Sequence, residues 1–377
     1  MTPGRPQGIW APGVDPGRRR FVEVAGPPTG GLELEYGGHL AEVTMAYESW
    51  GALDANRSNA VLILHALTGD SHATSAEEPG RSGTGWWDGL VGPGLAIDTD
   101  RFFVVCPNVL GGCQGTTGPA SLGPDGAPYG SRFPLITIRD QVAAEAALAD
   151  ALGIGQWALV AGGSMGGMRV LEWCVGYPER VRRAAVLAVG AAATAEQIAL
   201  CSLQVRAIRN DPSFAGGDYY ATGSRPVDGL ALARGMGQVT YRNASEFQAR
   251  FGRQAQAGED LLKGGRFAIE SYLEHHGEKL IERFDANSYI VLSEAMNHHD
   301  VARGRGGLGP ALASVRADVT VAGIVSDRLY PLALQEELAR LLPQQRPVVV
   351  IESEHGHDGF LVETEQIASV LTSALEG

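Results

Sequence analysis

Cysteine is scarce in this chain, and long apolar runs are missing. The 377 residues include only four cysteines, at Cys106, Cys113, Cys174 and Cys201, and none of them forms a Cys-x-x-Cys pair. This pattern argues against a disulfide framework and against a thiolate metal site. The sequence contains no stretch of about 18 apolar residues, so it predicts no membrane-spanning helix. The first twenty residues lack the apolar centre of a signal peptide, so we expect a cytoplasmic protein.

Basic residues are also in deficit. Lys and Arg number 30 against 43 Asp and Glu, which gives a net charge of -13. Nucleic acids and membrane surfaces are polyanionic and would repel such a protein, so we expect neither as a partner. The paired histidines His275, His276, His298 and His299 lack carboxylate or thiolate partners at metal spacing. We therefore predict no bound metal.

Apolar runs and helical patterns alternate along most of the chain. Ala60–Leu64 and Phe102–Cys106 are apolar enough to predict strands buried on both faces. Thr137–Leu152 has the spacing of an amphipathic helix, and Ala184–Val189 predicts a further buried strand. This alternation is typical of a mostly parallel sheet with helices on both faces.

The beginning of the chain gives weaker signals. Residues 1–20 are rich in Pro, Gly and Arg and are predicted to form a flexible tail. A short strand is predicted at Glu33–Tyr36, and a half-buried antiparallel edge strand at Ala41–Tyr47. The long loop of residues 107–134 is dense in Gly, Pro, Thr and Asn, and a loop of this length inside a compact domain is usually functional.

The alternation of strands and helices is interrupted between residues 191 and 300. That segment has helical patterns without a convincing buried strand, at Glu196–Asn210, Gly229–Tyr241 and Ala286–Met296. Strands and helices resume at Val319–Val325. We therefore assign residues 21–190 and 301–377 to a sheet core, and residues 191–300 to an inserted helical cap over the site.

The stretch from Val160 to Met168, VAGGSMGGM, has the pattern of a nucleophile elbow. An apolar run, Trp157–Ala161, ends in a glycine-rich turn, and a helical stretch, Met168–Val175, follows at once. A serine at the tip of such a turn is held clear of the sheet, and the glycines let neighbouring backbone approach closely. Ser164 is therefore the candidate nucleophile.

A serine hydroxyl needs a base, and the base needs an orienting acid. In sheets of this kind the acid and then the histidine follow later strands along the chain. Asp327 follows the strand Val319–Val325, and the sequence EHGHD follows the predicted strand Val348–Ile351. The spacing alone leaves His355 and His357 both open as the base.

An oxyanion hole would complete such a site. One donor is expected to be the backbone N–H of Met165, directly after the candidate nucleophile. The other is expected from the loop after Ala60–Leu64, near Leu67. The following Thr68-Gly69-Asp70 fits a simple tight turn equally well, so the sequence leaves open which amide points inward.

Several longer strings carry a more specific resemblance. HALTGDSHA, GWWDGLVGPG, DTDRFFVVCPNVLGGCQGTTGP, GGSMGGM, RFDANSYIVLSEAMNHHDV and SDRLYP with GHDGFL resemble homoserine O-acetyltransferases of the α/β-hydrolase fold. The resemblance extends from about residue 21 to the end of the chain. It implies Ser164 as nucleophile, Asp327 as orienting acid and His357 as general base. It also implies the amides of Leu67 and Met165 as the oxyanion donors.

The same resemblance implies the substrates. Arg234 and Tyr241, in LARGMGQVTYR, and Asp358 match the family residues that hold homoserine. An arginine suits the carboxylate of an amino acid and an aspartate suits its ammonium group. The implied reaction is a double displacement in which acetyl-CoA acylates Ser164 and homoserine accepts the acetyl group, a step towards methionine. No permanently bound cofactor is implied, and a homodimer is expected.

Alternatives lie in the acyl donor, the acceptor and the reaction class. Family members also use succinyl-CoA or serine, and the succinyl branch has His and Ser where Gln114 and Thr116 stand, and Leu where Met165 stands. We therefore favour the acetyl branch and expect the Met165 side chain to influence which acyl group is accepted. A serine esterase or thioesterase, in which water is the acceptor, is the alternative from another class.

Overall fold

A computed structural model of the chain describes residues 9–10, 14–27, 30–76 and 85–376. The flexible tail predicted for residues 1–20 therefore lies partly outside the described residues. Where the structure describes that segment, the ring of Trp10 stacks on Phe21 with 4.5 Å between the centroids. The first strand begins at Arg20, so the sheet starts one residue earlier than the sequence boundary suggests.

The strands of the described residues form one large sheet and two small ones. They are β1 (Arg20–Ala25), β2 (Leu32–Glu33), β3 (His39–Leu40), β4 (Val43–Trp50), β5 (Ala60–Leu64), β6 (Val91–Gly92), β7 (Ile97–Asp98), β8 (Phe103–Pro107), β9 (Leu159–Gly163), β10 (Arg183–Leu187), β11 (Asp318–Ile324) and β12 (Val349–Ile351). The large sheet has eight strands in the order β1-β4-β8-β5-β9-β10-β11-β12. From β8 to β12 all neighbours are parallel, whereas β4 is antiparallel to both β1 and β8.

The helices follow and interrupt this sheet. They are α1 (Ile138–Ala151), α2 (Met165–Gly176), α3 (Ala195–Arg209), α4 (Val227–Tyr241), α5 (Ala244–Arg250), α6 (Ala268–Ile281), α7 (Ala286–Asn297), α8 (Leu308–Ala313), α9 (Leu332–Leu341), α10 (Gly359–Val362) and α11 (Thr364–Glu376). Helices α3 to α7 lie between β10 and β11 in the chain. An isolated bridge between Ala192 and Asp300 joins the two ends of that segment.

Both faces of the large sheet are covered. In β5, Leu62 and Leu64 pack in one core with residues of α1 and α2, while Val61 and Ile63 pack in another with residues of α11. Successive strand residues point to opposite faces, so a strand covered on both sides must be apolar throughout. The predicted mostly parallel sheet with helices on both faces is confirmed.

The first strands differ in detail from their predictions. The edge position predicted for Ala41–Tyr47 is wrong, because β4 is paired on both sides and is almost wholly buried. The edge strand is β1, which the sequence did not single out because its pattern is short and only partly apolar. The strand predicted at Glu33–Tyr36 is cut short by a turn, in which the N–H of Gly37 donates to the carbonyl of Leu34 at 2.9 Å.

At the turn between β9 and α2, the backbone of the first turn of α2 lies very close to the backbone at the end of β5. Ser164 has φ +58° and ψ -126°, a strained conformation that costs about 1–3 kcal/mol. A Cβ atom on Gly166 would lie 2.1 Å from the Leu64 carbonyl oxygen, so only glycine fits there. Helix α2 accordingly begins at Met165, three residues before the predicted start, because the glycines belong to its first turn.

A buried ion pair ties the same region to α1. The guanidinium of Arg169, in α2, donates to the carboxylate of Glu145 at 2.7 Å and also to the carbonyl of His65. The indole of Trp173 donates to the second carboxylate oxygen at 2.8 Å. Burial raises the pKa of Glu145, while Arg169 and Trp173 oppose the rise. Breaking such a pair by removing one partner typically costs about 3–5 kcal/mol.

Two glycine substitutions test the close contact at the turn. We expect Gly166→Ala to lower the free energy of unfolding by several kcal/mol or to prevent folding, since the new Cβ would collide with backbone that cannot move independently. Gly235→Ala is the matched control, because its Cβ meets nothing within 4 Å on α4. It should raise stability by up to about 1 kcal/mol. Urea unfolding of both variants measures the difference, and equal stabilities would contradict this account.

Candidate active site

The residues predicted to act as acid and base lie in adjacent loops at the carboxyl ends of β11 and β12. The Nδ1 atom of His357 is 2.6 Å from Oδ2 of Asp327, and both side chains are buried. The other carboxylate oxygen of Asp327 accepts hydrogen bonds from the N–H groups of Leu329 and Tyr330, each at 2.8 Å. The carboxylate is therefore fixed on one side, and it holds the Nδ1–H tautomer of His357.

The spacing along the chain left both His355 and His357 possible as the base. The geometry of their loop distinguishes the two. His355 is half-exposed, and its Nδ1 atom lies 3.4 Å from Glu246, remote from the Asp327 carboxylate. His357 is enclosed by the aromatic rings of Tyr330 and Phe360, whose centroids lie 4.9 Å and 5.4 Å away. Its Nε2 atom is buried without a hydrogen-bond partner among the described residues. That nitrogen is the atom a general base would use.

Ser164 and His357 border the same cavity, which has a volume of about 200 Å³. The sheet side contributes the oxyanion loop, Ala66 to Gly69, together with Ser164, Tyr330 and His357. The segment between β10 and β11 contributes residues of three helices and one connection: Gln197, Leu200, Cys201, Gln204, Arg234, Thr240, Tyr241, Arg283 and Met296. The residues predicted as nucleophile and base thus border one cavity at the junction of the two parts, and the predicted acid contacts the base.

The loop after β5 presents a backbone amide to this cavity. Leu67 lines the cavity and is buried, and in the described part of the chain its N–H makes no backbone hydrogen bond. Met165 is the first residue of α2, where an N–H has no partner inside the helix. Two free N–H groups beside a serine are the usual composition of an oxyanion hole.

Two carboxylates raise the pKa of His357. Burial alone would lower the pKa of His357, but the charge and hydrogen bond of Asp327 and the charge of Asp358 raise it above its ordinary value. Burial also raises the pKa of Asp358, against the effects of Arg242 and His357. Asp358 forms an ion pair of 3.1 Å with Arg242. A base with a raised pKa accepts a proton readily once it is neutral.

The three residues matched to homoserine binding border the same cavity. Arg234 lies over the ring of Tyr241, with its guanidinium carbon 5.6 Å from the centroid. Tyr241 is 6.1 Å from the His357 ring, centroid to centroid. Asp358 is adjacent to His357 in the chain and also borders the cavity. A cation and a carboxylate therefore stand in one cavity, where they suit a zwitterion.

Among the lining residues to which the sequence assigned no role, Tyr330 and Arg283 make contacts close to the predicted catalytic groups. Tyr330 stacks on His357 and is fully buried, and burial raises the pKa of its phenol well above its ordinary value. The sequence signal that could have placed Tyr330 in the site is its position three residues after Asp327, in SDRLYP. Arg283 opens the string RFDANSY and donates from Nη1 to the carbonyl of Thr68 at 2.6 Å. Only the fold brings it to this loop, 215 residues away in the chain.

Some expectations about acyl choice differ from the structure. The side chain of Met165 is buried in the core and does not line the cavity. The loop of residues 107–134 does not line it either, and borders a separate cavity of about 460 Å³ instead. In that loop the hydroxyl of Thr116 accepts a hydrogen bond from Ala46, and the amide of Gln114 donates to the carbonyl of Arg283 at 2.9 Å.

No group of three or more His, Cys, Asp or Glu side chains within the ranges above is arranged to hold a metal ion. None of the helices in those ranges is both long enough and apolar enough to cross a membrane.

Comparisons with known proteins agree on the fold. A family profile described as alpha/beta hydrolase fold matches residues 59–361. The homoserine O-acetyltransferase of Thermobifida fusca (strain YX) is 58% identical over 376 residues, which cover 99% of this chain and 98% of that protein.

Solved structures give a similar result. The crystal structure of homoserine O-acetyltransferase from Bacillus anthracis superposes with a TM-score of 0.87 at 29% identity, over 95% of this chain and 97% of that one. An acetylester hydrolase from Corynebacterium glutamicum superposes with a TM-score of 0.80 at 27% identity, over 96% and 97%. Similar folds thus occur in a transferase and in a hydrolase, so shape alone does not separate the two activities.

The charge of Asp358 should be visible in the pH dependence of Ser164 labelling by a fluorophosphonate. Labelling needs neutral His357, so its rate should rise with pH as the imidazolium loses its proton. Asp358→Asn removes a charge that raises the pKa of His357, and the rise should then move to lower pH. Glu354→Gln, which removes an exposed carboxylate of the same loop, is the matched control. An unshifted profile in Asp358→Asn would contradict the electrostatic account.

Proposed function

The chain belongs to the homoserine O-acetyltransferases of the α/β-hydrolase fold, and we propose how its residues transfer an acetyl group from acetyl-CoA to the hydroxyl of L-homoserine. One observation carries the assignment of residues. The buried His357–Asp327 pair opens on a small cavity that also contains Ser164, Arg234 and Asp358. Nucleophilic machinery and two charges for an amino acid thus share one enclosed space.

In the first half of the reaction, the enzyme is acylated. His357 Nε2 takes the proton of the Ser164 hydroxyl, whose oxygen attacks the thioester carbonyl of acetyl-CoA. The N–H groups of Leu67 and Met165 hold the negative charge that develops on the carbonyl oxygen. The tetrahedral intermediate collapses, the C–S bond breaks, and the thiolate of CoA takes the proton from His357. Acetyl-serine and free CoA result.

In the second half, homoserine is the nucleophile, in the place that water has in a hydrolase. The side-chain hydroxyl of homoserine gives its proton to His357 as its oxygen attacks the acetyl-serine carbonyl. The same two amides hold the second tetrahedral intermediate. Collapse returns the proton to Ser164 and releases O-acetylhomoserine. Asp327 stays ionised throughout, because it orients the imidazole and stabilises its charged form.

The acceptor is held by its two charged ends. Arg234 is assigned to the carboxylate of homoserine, and Asp358 to its ammonium group. Asp358 lies directly beside the base, so the bound amino acid would direct its hydroxyl towards His357. The ring of Tyr241 lies near both Arg234 and His357 and borders the same cavity. Because Asp358 already pairs with Arg242, the ammonium group would share that carboxylate.

We propose that residues 191–300 act as a cap that limits the access of water, with residues 21–190 and 301–377 as the core. Water competes with homoserine for the acetyl-enzyme, so a transferase on this fold has to exclude it. The helices of the segment provide Arg234, Tyr241 and Met296 to the cavity wall, and the connection between α6 and α7 provides Arg283. A cavity of about 200 Å³ is smaller than the roughly 300–1,000 Å³ of drug-sized sites. It suits an acetyl group and a small amino acid.

Assembly and location follow from the same assignment. Large apolar side chains are exposed on α3 and α4, namely Ile198, Leu203, Leu232 and Val239. Helices α3 and α4 pack against each other, and exposed apolar side chains on neighbouring helices are suited to a protein interface, so we propose a homodimer. All four cysteines are free and buried, which fits a reducing cytoplasm. No permanent cofactor is required, since acetyl-CoA is consumed as a substrate.

A panel of substrates tests the function. Acetyl-CoA and succinyl-CoA are each incubated with homoserine, with serine and without an acceptor, and the products are identified by mass. We expect O-acetylhomoserine as the main product, and CoA release that depends on homoserine. Ser164→Ala should abolish the mass increment of acetyl-serine on the enzyme. Free acetate formed at the full rate without homoserine would instead support an esterase or thioesterase.

A pair of histidine variants tests the base. His357→Gln should lower kcat by about 10³- to 10⁴-fold, because no other group removes the serine proton. His355→Gln should retain kcat within about twofold, since His355 contacts Arg242 and Glu246 rather than the reacting atoms. Steady-state CoA release measures both values. Comparable losses in the two variants would overturn the assignment of His357.

A further inference from the structure

The orientation of the Leu67 amide is fixed by the carbonyl of its own peptide group. The Ala66 carbonyl accepts a hydrogen bond of 2.9 Å from the N–H of Gly69. The Nδ1 atom of His65 lies 2.8 Å from the same oxygen. No cis peptide bond occurs among the described residues, and in a trans peptide the N–H points away from the C=O. Holding the Ala66 carbonyl therefore aims the Leu67 N–H in the opposite direction.

The protonation of His65 supports this geometry. The N–H of Val109 donates to the Nε2 atom of His65 at 3.1 Å, so that nitrogen carries no proton. The proton of the neutral ring must then be on Nδ1, which donates to the Ala66 carbonyl. Burial and the charge of Arg169 lower the pKa of His65 to about 3, so the ring stays neutral at physiological pH. His65 is a fixed donor to this peptide group.

A positive charge lies at the far end of the same run of peptide groups. Arg283 donates from Nη1 to the Thr68 carbonyl at 2.6 Å. The N–H of that peptide group belongs to Gly69, which donates to the Ala66 carbonyl. The next N–H in the series is that of Leu67. Each carbonyl that accepts a hydrogen bond polarises its own peptide group and makes its N–H a stronger donor.

We propose that Arg283 is a positioning residue for the reaction, which orients and polarises the Leu67 amide through the peptide groups of Gly69 and Leu67. This inference rests on the assignment of Leu67 as an oxyanion donor made above. Arg283 precedes α7, in the segment between β10 and β11, and therefore couples that segment to the oxyanion loop. The expected effect of Arg283 on the reaction rate is moderate, because its side chain remains exposed to solvent, which screens its charge.

A second role for Arg283 makes a different prediction. Arg283 borders the same cavity as Arg234, and within the described residues no carboxylate forms an ion pair with either. If Arg283 bound the carboxylate of homoserine, its loss would weaken acceptor binding and leave acylation unchanged. The hydrogen bond to Thr68 favours the positioning role, because it engages the guanidinium with the loop before any substrate binds.

The test compares three measurements in Arg283→Met and Arg283→Lys. They are the rate of acylation by acetyl-CoA, the KM for homoserine, and the affinity for a trifluoromethyl ketone analogue of acetyl-CoA, whose adduct with Ser164 places an oxyanion in the hole. In Arg283→Met we expect acylation and analogue affinity to fall together by about ten- to thirtyfold, a part of what losing one oxyanion donor costs. The KM for homoserine and the affinity for CoA itself should change less than about twofold. Arg283→Lys should recover part of the loss.

Controls separate this role from simpler explanations. Arg57→Met is the matched control for folding, since Arg57 also donates from Nη1 to a backbone carbonyl, that of Leu152 at 2.7 Å, without bordering the cavity. It should leave all three measurements unchanged. Arg234→Met should show the reverse profile, with a raised KM and intact acylation. A homoserine KM raised in Arg283→Met at an unchanged acylation rate, or no effect at all, would overturn the proposal. Wild-type enzyme without homoserine-dependent turnover would instead contradict the proposed function.

Discussion

The contact between the first turn of α2 and the end of β5 is the constraint on which both halves of the site depend. At Gly166 the helix approaches the Leu64 carbonyl so closely that no Cβ atom fits. Arg169, one turn later, donates to the carbonyl of His65 from a buried position. The proposed nucleophile follows β9 and the proposed oxyanion loop, Ala66 to Gly69, follows β5, and these two strands are neighbours in the sheet. One packing contact therefore sets the distance between Ser164 and the Leu67 amide.

The charges of the site are arranged in two groups with separate tasks. Asp327, held by two backbone N–H groups, faces only His357 and sets its tautomer. Arg234 and Asp358 border the open part of the cavity, where a zwitterion finds both of its counter-charges. The second group suits an amino-acid acceptor, and its two members come from different parts of the chain, Arg234 from α4 and Asp358 from the loop after β12.

Much of the fold was predictable because its signals are local. The strand at residues 60–64 is a continuous apolar run, and the strand at residues 318–324 is polar only at Asp318 and Thr320, as expected for strands covered on both faces. The turn at Ser164 was recognisable because the glycines it requires flank a serine directly. Predictions failed where the position of a strand in the sheet depends on which other strands pair with it. Whether β4 is an edge or an interior strand depends on β1, whose own pattern is weak.

The sequence by itself determined the alternation of the buried strands and their helices, the turn at Ser164, and the identities of the acid and base candidates, because these depend on spacing along the chain. Tertiary structure decided which histidine meets Asp327, since His355 and His357 differ by only two residues but face different neighbours. It also placed Arg283 at the carbonyl of Thr68 and buried the Met165 side chain away from the cavity. Such contacts join residues far apart in the chain, and only the packing of helices against the sheet brings them together.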